Sequence, residues 1–138
     1  MSSHQFKTVS GWGFTILRLA VGIVFFAHGW QKLFGYGLHN VSASMGMMHI
    51  PLAAVSGPLV TFLEFVGGLA LILGVLTRWF AALFVIEMLV AILGVHLRNG
   101  FFLPRGYEYP FMMLAASLAL VLEGPGKAAL DRLWTNRK

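Results

Sequence analysis

Four apolar runs divide the chain, and polar or turn-forming residues collect between them. The runs cover about Phe14–Phe34, Gly57–Leu76, Trp79–Val95 and Tyr109–Leu122. A helix needs about 20 residues to cross a bilayer. The first three runs reach or approach that length, and the fourth is short. The pattern predicts an all-α membrane protein built as one domain over residues 1–138. Its expected architecture is a four-transmembrane-helix bundle with a short interfacial helix between the first and second spans. The first run does not read as a cleaved signal peptide. It is too long for an h-region, it carries Arg18, and no A-x-A site follows.

The connections sharpen this outline. The Thr77-Arg78 link is very tight and makes the second and third spans an antiparallel hairpin. The segment Gly35–Ser56 is too apolar for a plain loop. Its Met45, Met47, Met48, Ile50 and Leu52 suggest an interfacial helix that stops before Pro51, with Asn40 or Ser42 as its cap. Thioethers beside the His49 imidazole also suit Cu(I), although Met commonly fills apolar surfaces. The tail Ala128–Lys138 is amphipathic and basic, with one Trp, and is expected to lie on the inner leaflet near anionic lipid. The first span ends A-H-G-W-Q-K-L-F and the third ends V-H-L-R-N-G-F-F, a faint internal repeat that fits two related helical hairpins.

Composition agrees with the runs. Apolar residues make up 58% of the chain and charged residues 11%, against roughly a quarter charged in soluble domains. The absence of Cys excludes disulfides, thiolate catalysis and Cys-ligated zinc or iron–sulfur centres. The net charge of +5 does not point to nucleic acid, because the basic residues form no stripe and sit at the ends of apolar runs. Lys7, Arg78, Lys127, Arg132, Arg137 and Lys138 fall on one side, against Lys32, Arg98 and Arg105 on the other. The positive-inside rule then puts both termini in the cytoplasm.

Small residues mark the packing faces that replace a hydrophobic drive in lipid. They are Gly22 and Gly29 in span one, Gly67, Gly68 and Gly74 in span two, Ala91 and Gly94 in span three, and Ala115, Ala116 and Ala119 in span four. Arg18, Glu64 and Glu87 share these faces by helical spacing. A charge inside the bilayer is costly, faces inward and often marks function. Glu64 and His28 both lie about 10 Å below the outer surface, counting 1.5 Å per residue. His28, Trp30, Lys32, Glu64 and His96, with Glu87 deeper, are therefore expected to converge on the outer half of the bundle, with Glu108 and Tyr109 nearby. The alternative is a set of ion pairs, Arg18 with Glu87 and Lys32 with Glu64, that fixes helix register.

Several chemistries fit such a cluster. His28 and His96 offer two imidazoles for a haem. Glu64, Glu87 and His28 offer a metal set. A quinone needs apolar and aromatic walls, a donor for its carbonyl and a proton relay. Phe25, Phe26, Trp30 and Tyr109 supply walls, His28 and Lys32 donors, and Glu64 and Glu87 protons. This reading needs no further cofactor, so haem and metal rank below it.

The motifs also resemble those of a known family. H-G-W-Q-K-L-F-G closing span one, E-F-V-G-G-L-A-L-I-L-G-V-L-T-R over Glu64–Arg78, E-M-L-V-A-I-L-G-V-H-L-R-N-G-F-F over Glu87–Phe102, G-Y-E-Y-P over Gly106–Pro110 and G-P-G-K-A-A-L-D-R over Gly124–Arg132 follow the order of the DoxX family. The resemblance covers nearly the whole chain. It implies a small four-helix protein of a bacterial or archaeal plasma membrane. Relatives include a subunit of an archaeal thiosulfate:quinone oxidoreductase, and many members carry oxidoreductase names. The family-like polar positions are His28, Gly29, Lys32, Glu64, Arg78, Glu87, His96, Glu108 and Asp131. The function expected from residues and resemblance together is a membrane redox component. Glu64, Glu87 and His28 would be the catalytic residues, the two carboxylates relaying protons and His28 with Lys32 holding a carbonyl oxygen; Trp30, Lys32, His96, Glu108 and Tyr109 would line the ligand. Its partners would be the bilayer and either other redox subunits or a second copy of the chain. The rivals are a non-catalytic subunit, scaffold or lipid-binding protein, and a small proton-coupled transporter.

Overall fold

A computed structural model describes residues 3–135, with side chains from residue 11 onward. Lys7, Arg137 and Lys138, used above for topology, carry no described side chains. Six helices account for most of the described residues. Helix α1 spans Ser3–Trp30 and runs on as a π-helix over Gln31–Tyr36. Helix α2 spans Leu38–Met47, α3 Ala53–Leu73, and α4 Thr77–Ala91 with a π-helical end at Ile92–His96. Helix α5 spans Glu108–Glu123 and α6 Asp131–Thr135. Three stretches are long and apolar enough to cross a membrane: Gly11–Tyr36, Ala53–Leu73 and Thr77–Asn99. With 16 residues, α5 is shorter than these.

The long helices pack as two pairs, α1 on α3 and α4 on α5. Glycine sets the first seam. A Cβ on Gly29 would collide with the backbone of Phe65, and one on Gly68 with the backbone of Phe26. The small-residue faces expected for spans one and two therefore form. The pairs meet where Phe25 and Phe84 stack with centroids 3.6 Å apart and planes 4° from parallel. Val21, Leu71, Ala81, Met88, Met113 and Leu120 complete the core. The outside is apolar as well: Ile16, Trp79, Met112 and Leu122 are each about two-thirds or more exposed. Water would not tolerate such a surface, and a bilayer does.

Two turns differ from expectation. The link between α3 and α4 is Gly74–Leu76, and Thr77 and Arg78 already belong to α4. Gly74 ends α3 at φ +71°, a left-handed conformation that glycine adopts without steric cost. Helix α2 is not capped by Asn40 or Ser42. It starts after Gly37, the Asn40 amide donates to the Tyr36 carbonyl (2.9 Å), and Ser42 packs against Gly57 of α3.

Candidate functional site: a charged cluster where four helices meet

Lys32 stands in the π-helical end of α1, facing α3. Its Nζ donates to Oε2 of Glu64 at 2.6 Å. Glu64 is buried, 4% exposed, one turn beyond Thr61, whose hydroxyl donates to the Gly57 carbonyl. Glu87 of α4 lies within electrostatic reach of both Glu64 and Lys32. Its Oε2 is buried and has no hydrogen-bond partner among the described residues. The Tyr109 hydroxyl, on the first turn of α5, lies in the field of Glu64. Each of the four long helices thus contributes one ionisable side chain to one cluster. It holds one lysine amine and two carboxyl groups.

Tyr109 also belongs to a neighbouring groove of about 410 Å³, walled by Phe101, Leu103, Phe111 and Met112. Glu108 borders it but is committed to the backbone: its Oε1 accepts the Leu103 N–H at 2.8 Å and holds the loop wall. Tyr109 therefore lines the apolar groove and also lies within electrostatic reach of Glu64.

The other expected members stand apart. The exposed His28 ring shares a 2.8 Å hydrogen bond between Nδ1 and the Val24 carbonyl. It approaches the Tyr109 ring at 6.2 Å but makes no contact with Lys32 or Glu64 that would place it inside. The Gly29 seam turns α1 toward α3 and leaves His28 on the flank where α5 packs loosely. Trp30 is half exposed in a lipid-side aromatic group with Phe26, Phe34 and Phe65, not at the mouth of the cluster. His96 bonds through Nδ1 to the Arg105 carbonyl (2.9 Å) and pins the loop before α5. The Glu64–Glu87–His28 metal set is not assembled, and no group of three or more His, Cys, Asp or Glu that could hold a metal occurs among the described residues.

Of the two expected ion pairs, Lys32–Glu64 forms and Arg18–Glu87 does not. Arg18 is 2% exposed at the opposite end of the bundle. Its Nη1 donates to the Pro125 carbonyl (2.8 Å) and Nη2 to the Ala128 carbonyl (2.6 Å). The closing segment 124–132 is clamped there from three sides. Lys127 N–H donates to the Thr15 hydroxyl (2.8 Å) and the Gly11 carbonyl (3.0 Å). Asp131 accepts the N–H groups of Leu76 (2.7 Å) and Thr77 (2.9 Å), which caps the start of α4. Asp131 is one of the polar positions implied by the family resemblance, and no local motif marks it. Its partners lie more than 50 positions away, beyond any local pattern.

The architecture and the buried charges define a helical membrane protein with an ionisable centre between its helices. The chain belongs to the DoxX family, whose model matches residues 13–97. It is 33% identical over 136 residues to the inner membrane protein YqjF of Escherichia coli, covering 95% of this chain and 98% of that protein. It is 29% identical over 119 residues to the "Putative oxidoreductase CatD" of Bacillus subtilis, covering 86% of this chain and 84% of that one. No solved structure matches it significantly.

Proposed function

We propose that this protein is a component of a membrane redox system whose Lys32–Glu64–Glu87–Tyr109 cluster receives the polar head of a quinone or a similar lipid-soluble carbonyl compound. The observation that carries this reading is Tyr109, shared between the charged cluster and the apolar groove. A ligand with a carbonyl head and a greasy body needs those two surroundings side by side. Lys32 supplies a donor for the carbonyl oxygen, and the Glu64–Glu87 pair holds and delivers protons. Reducing a quinone to a quinol takes two electrons and two protons. This chain handles the protons, and a partner redox subunit supplies the electrons. The oxidoreductase name of the CatD relative supports the same class of chemistry.

The setting belongs to the proposal. Helix α5 acts as a fourth span, about 24 Å long at 1.5 Å per residue. Its exposed Phe111, Met112, Leu118 and Leu122 suit lipid. The protein lies in a bacterial membrane with both termini in the cytoplasm, and the cluster occupies the outer half. The second reading, a register-fixing ion pair in a non-catalytic subunit, is favoured by the 2.6 Å Lys32–Glu64 contact alone.

Titrating purified protein with a short-chain ubiquinone or menaquinone separates the two. The redox reading expects saturable binding that Glu64→Gln weakens at least about tenfold, equivalent to one charge-assisted hydrogen bond. Absence of saturable binding by the wild type would leave only the structural role.

A further inference from the structure

At the end of the bundle where the closing segment meets Gly11 and Thr15 lies a second groove, of about 610 Å³. Leu73 of α3 and the closing segment line it, with Lys127 and Arg132 as its charged members and Leu130 and Leu133 as further apolar walls. We infer that this groove is a binding site for the headgroup of an anionic phospholipid.

The charge balance of the groove comes first. The acid beside Arg132, Asp131, has both oxygens taken by the Leu76 and Thr77 N–H groups and is absent from the lining. Arg132 thus stands in a lining that holds no acid among the described residues. Arg132 is exposed but not loose: its Nε–H donates to the Gly126 carbonyl. Its remaining guanidinium N–H groups make no hydrogen bond among the described residues, and their fork suits a phosphate ester. Gly126 is itself fixed. Its φ of +77° favours glycine, and a Cβ there would strike the Thr15 backbone. The cation is therefore mounted on a rigid segment.

The surroundings select a lipid rather than a soluble anion. Leu130, Leu133 and Trp134 are 42%, 60% and 60% exposed beside the groove. Trp and Leu at a helix end beside basic residues are the composition of a membrane interface. A phosphate at Arg132 would leave its acyl chains running along Leu73 and the exposed face of α3. The site stands apart from the Lys32–Glu64 cluster and does not depend on any reading of that cluster.

The test measures thermal unfolding of the full-length protein in detergent with phosphatidylglycerol, phosphatidylcholine or inorganic phosphate added. Phosphatidylglycerol is expected to raise Tm by about 5 °C, a typical gain for a saturating ligand of a small domain. The other two additions are expected to give less than a third of that rise. Arg132→Gln should abolish most of the increment, measured against its own lipid-free Tm, and Arg132→Lys should keep at least half of it. An equal rise with phosphatidylcholine would mean general solvation, an equal rise with inorganic phosphate would mean a soluble-anion site, and either would overturn the inference. So would the absence of any rise, or an undiminished rise in Arg132→Gln.

Discussion

A single pair, Lys32 and Glu64, joins α1 to α3 inside the charged cluster. The carboxylate side chain is 5% exposed and the lysine 22%. Removing one partner of such a pair leaves a charge without compensation, at a cost of about 3–5 kcal/mol when fully buried and less here because Lys32 reaches partial solvent. Lys32→Met should therefore lower Tm measurably, and the double variant Lys32→Met/Glu64→Gln should recover part of the loss; thermal unfolding of the three proteins checks this. Depth along the helices is legible in the sequence: counting residues puts Glu64 and His28 at one level and Glu87 deeper, and Lys32 reaches Glu64. Rotation was less legible. His28 and Lys32 are four positions apart, yet only Lys32 meets Glu64, because the Gly29–Phe65 approach decides which face of α1 is covered. Arg18 was recognised as a buried charge, but its carbonyl partners lie 107 and 110 residues away and no local pattern names them.

At the scale of elements, the α1–α3 seam depends on two backbones in contact. Gly29→Ala places a methyl group where the Phe65 backbone stands, which neither helix can relieve by a rotamer change. Overpacking of this kind costs about 1–3 kcal/mol, so Gly29→Ala should lose stability where Gly13→Ala, facing open space, does not. Parallel denaturation curves in one detergent make the comparison. The start of α4 offers a second case. Leu76 holds a left-handed φ of +49°, unusual for a branched side chain, and Asp131 binds its N–H and the next. Asp131→Ala should cost about 1–2 kcal/mol, the usual value of a lost N-terminal cap, and should increase proteolysis within residues 124–132. The apolar runs made the long helices legible. The turn at Gly74–Leu76 is not legible, because apolar Val75 and Leu76 look like helix, and the carboxylate that holds the Leu76 and Thr77 N–H groups lies more than 50 positions away.

Over the whole molecule, the two halves echo each other. Helices α1 and α4 both end as π-helices, a form rare in general and frequent at functional sites. Each also presents an arginine to the glycine that closes its partner helix: Arg18 beside Gly74, and Arg78 beside Gly124. The faint repeat of His, base and aromatics in the sequence falls at or beside these two π-helical ends. Both halves point their π-helical ends toward one end of the bundle, where the charged cluster and the Tyr109 groove adjoin. The opposite end is closed by the clamp around Arg18. A C-terminal reporter fusion should be active only in the cytoplasm if the clamp faces inward; activity only outside the cell would reverse the assigned orientation.

The central claim is that the charged cluster receives a lipid-soluble carbonyl compound. Mass spectrometry of small molecules extracted from protein purified in mild detergent from its native membrane tests it most directly. The account predicts a quinone retained near one per chain by the wild type and depleted in Glu64→Gln. Equal quinone content in the two proteins, or none in either, would contradict it.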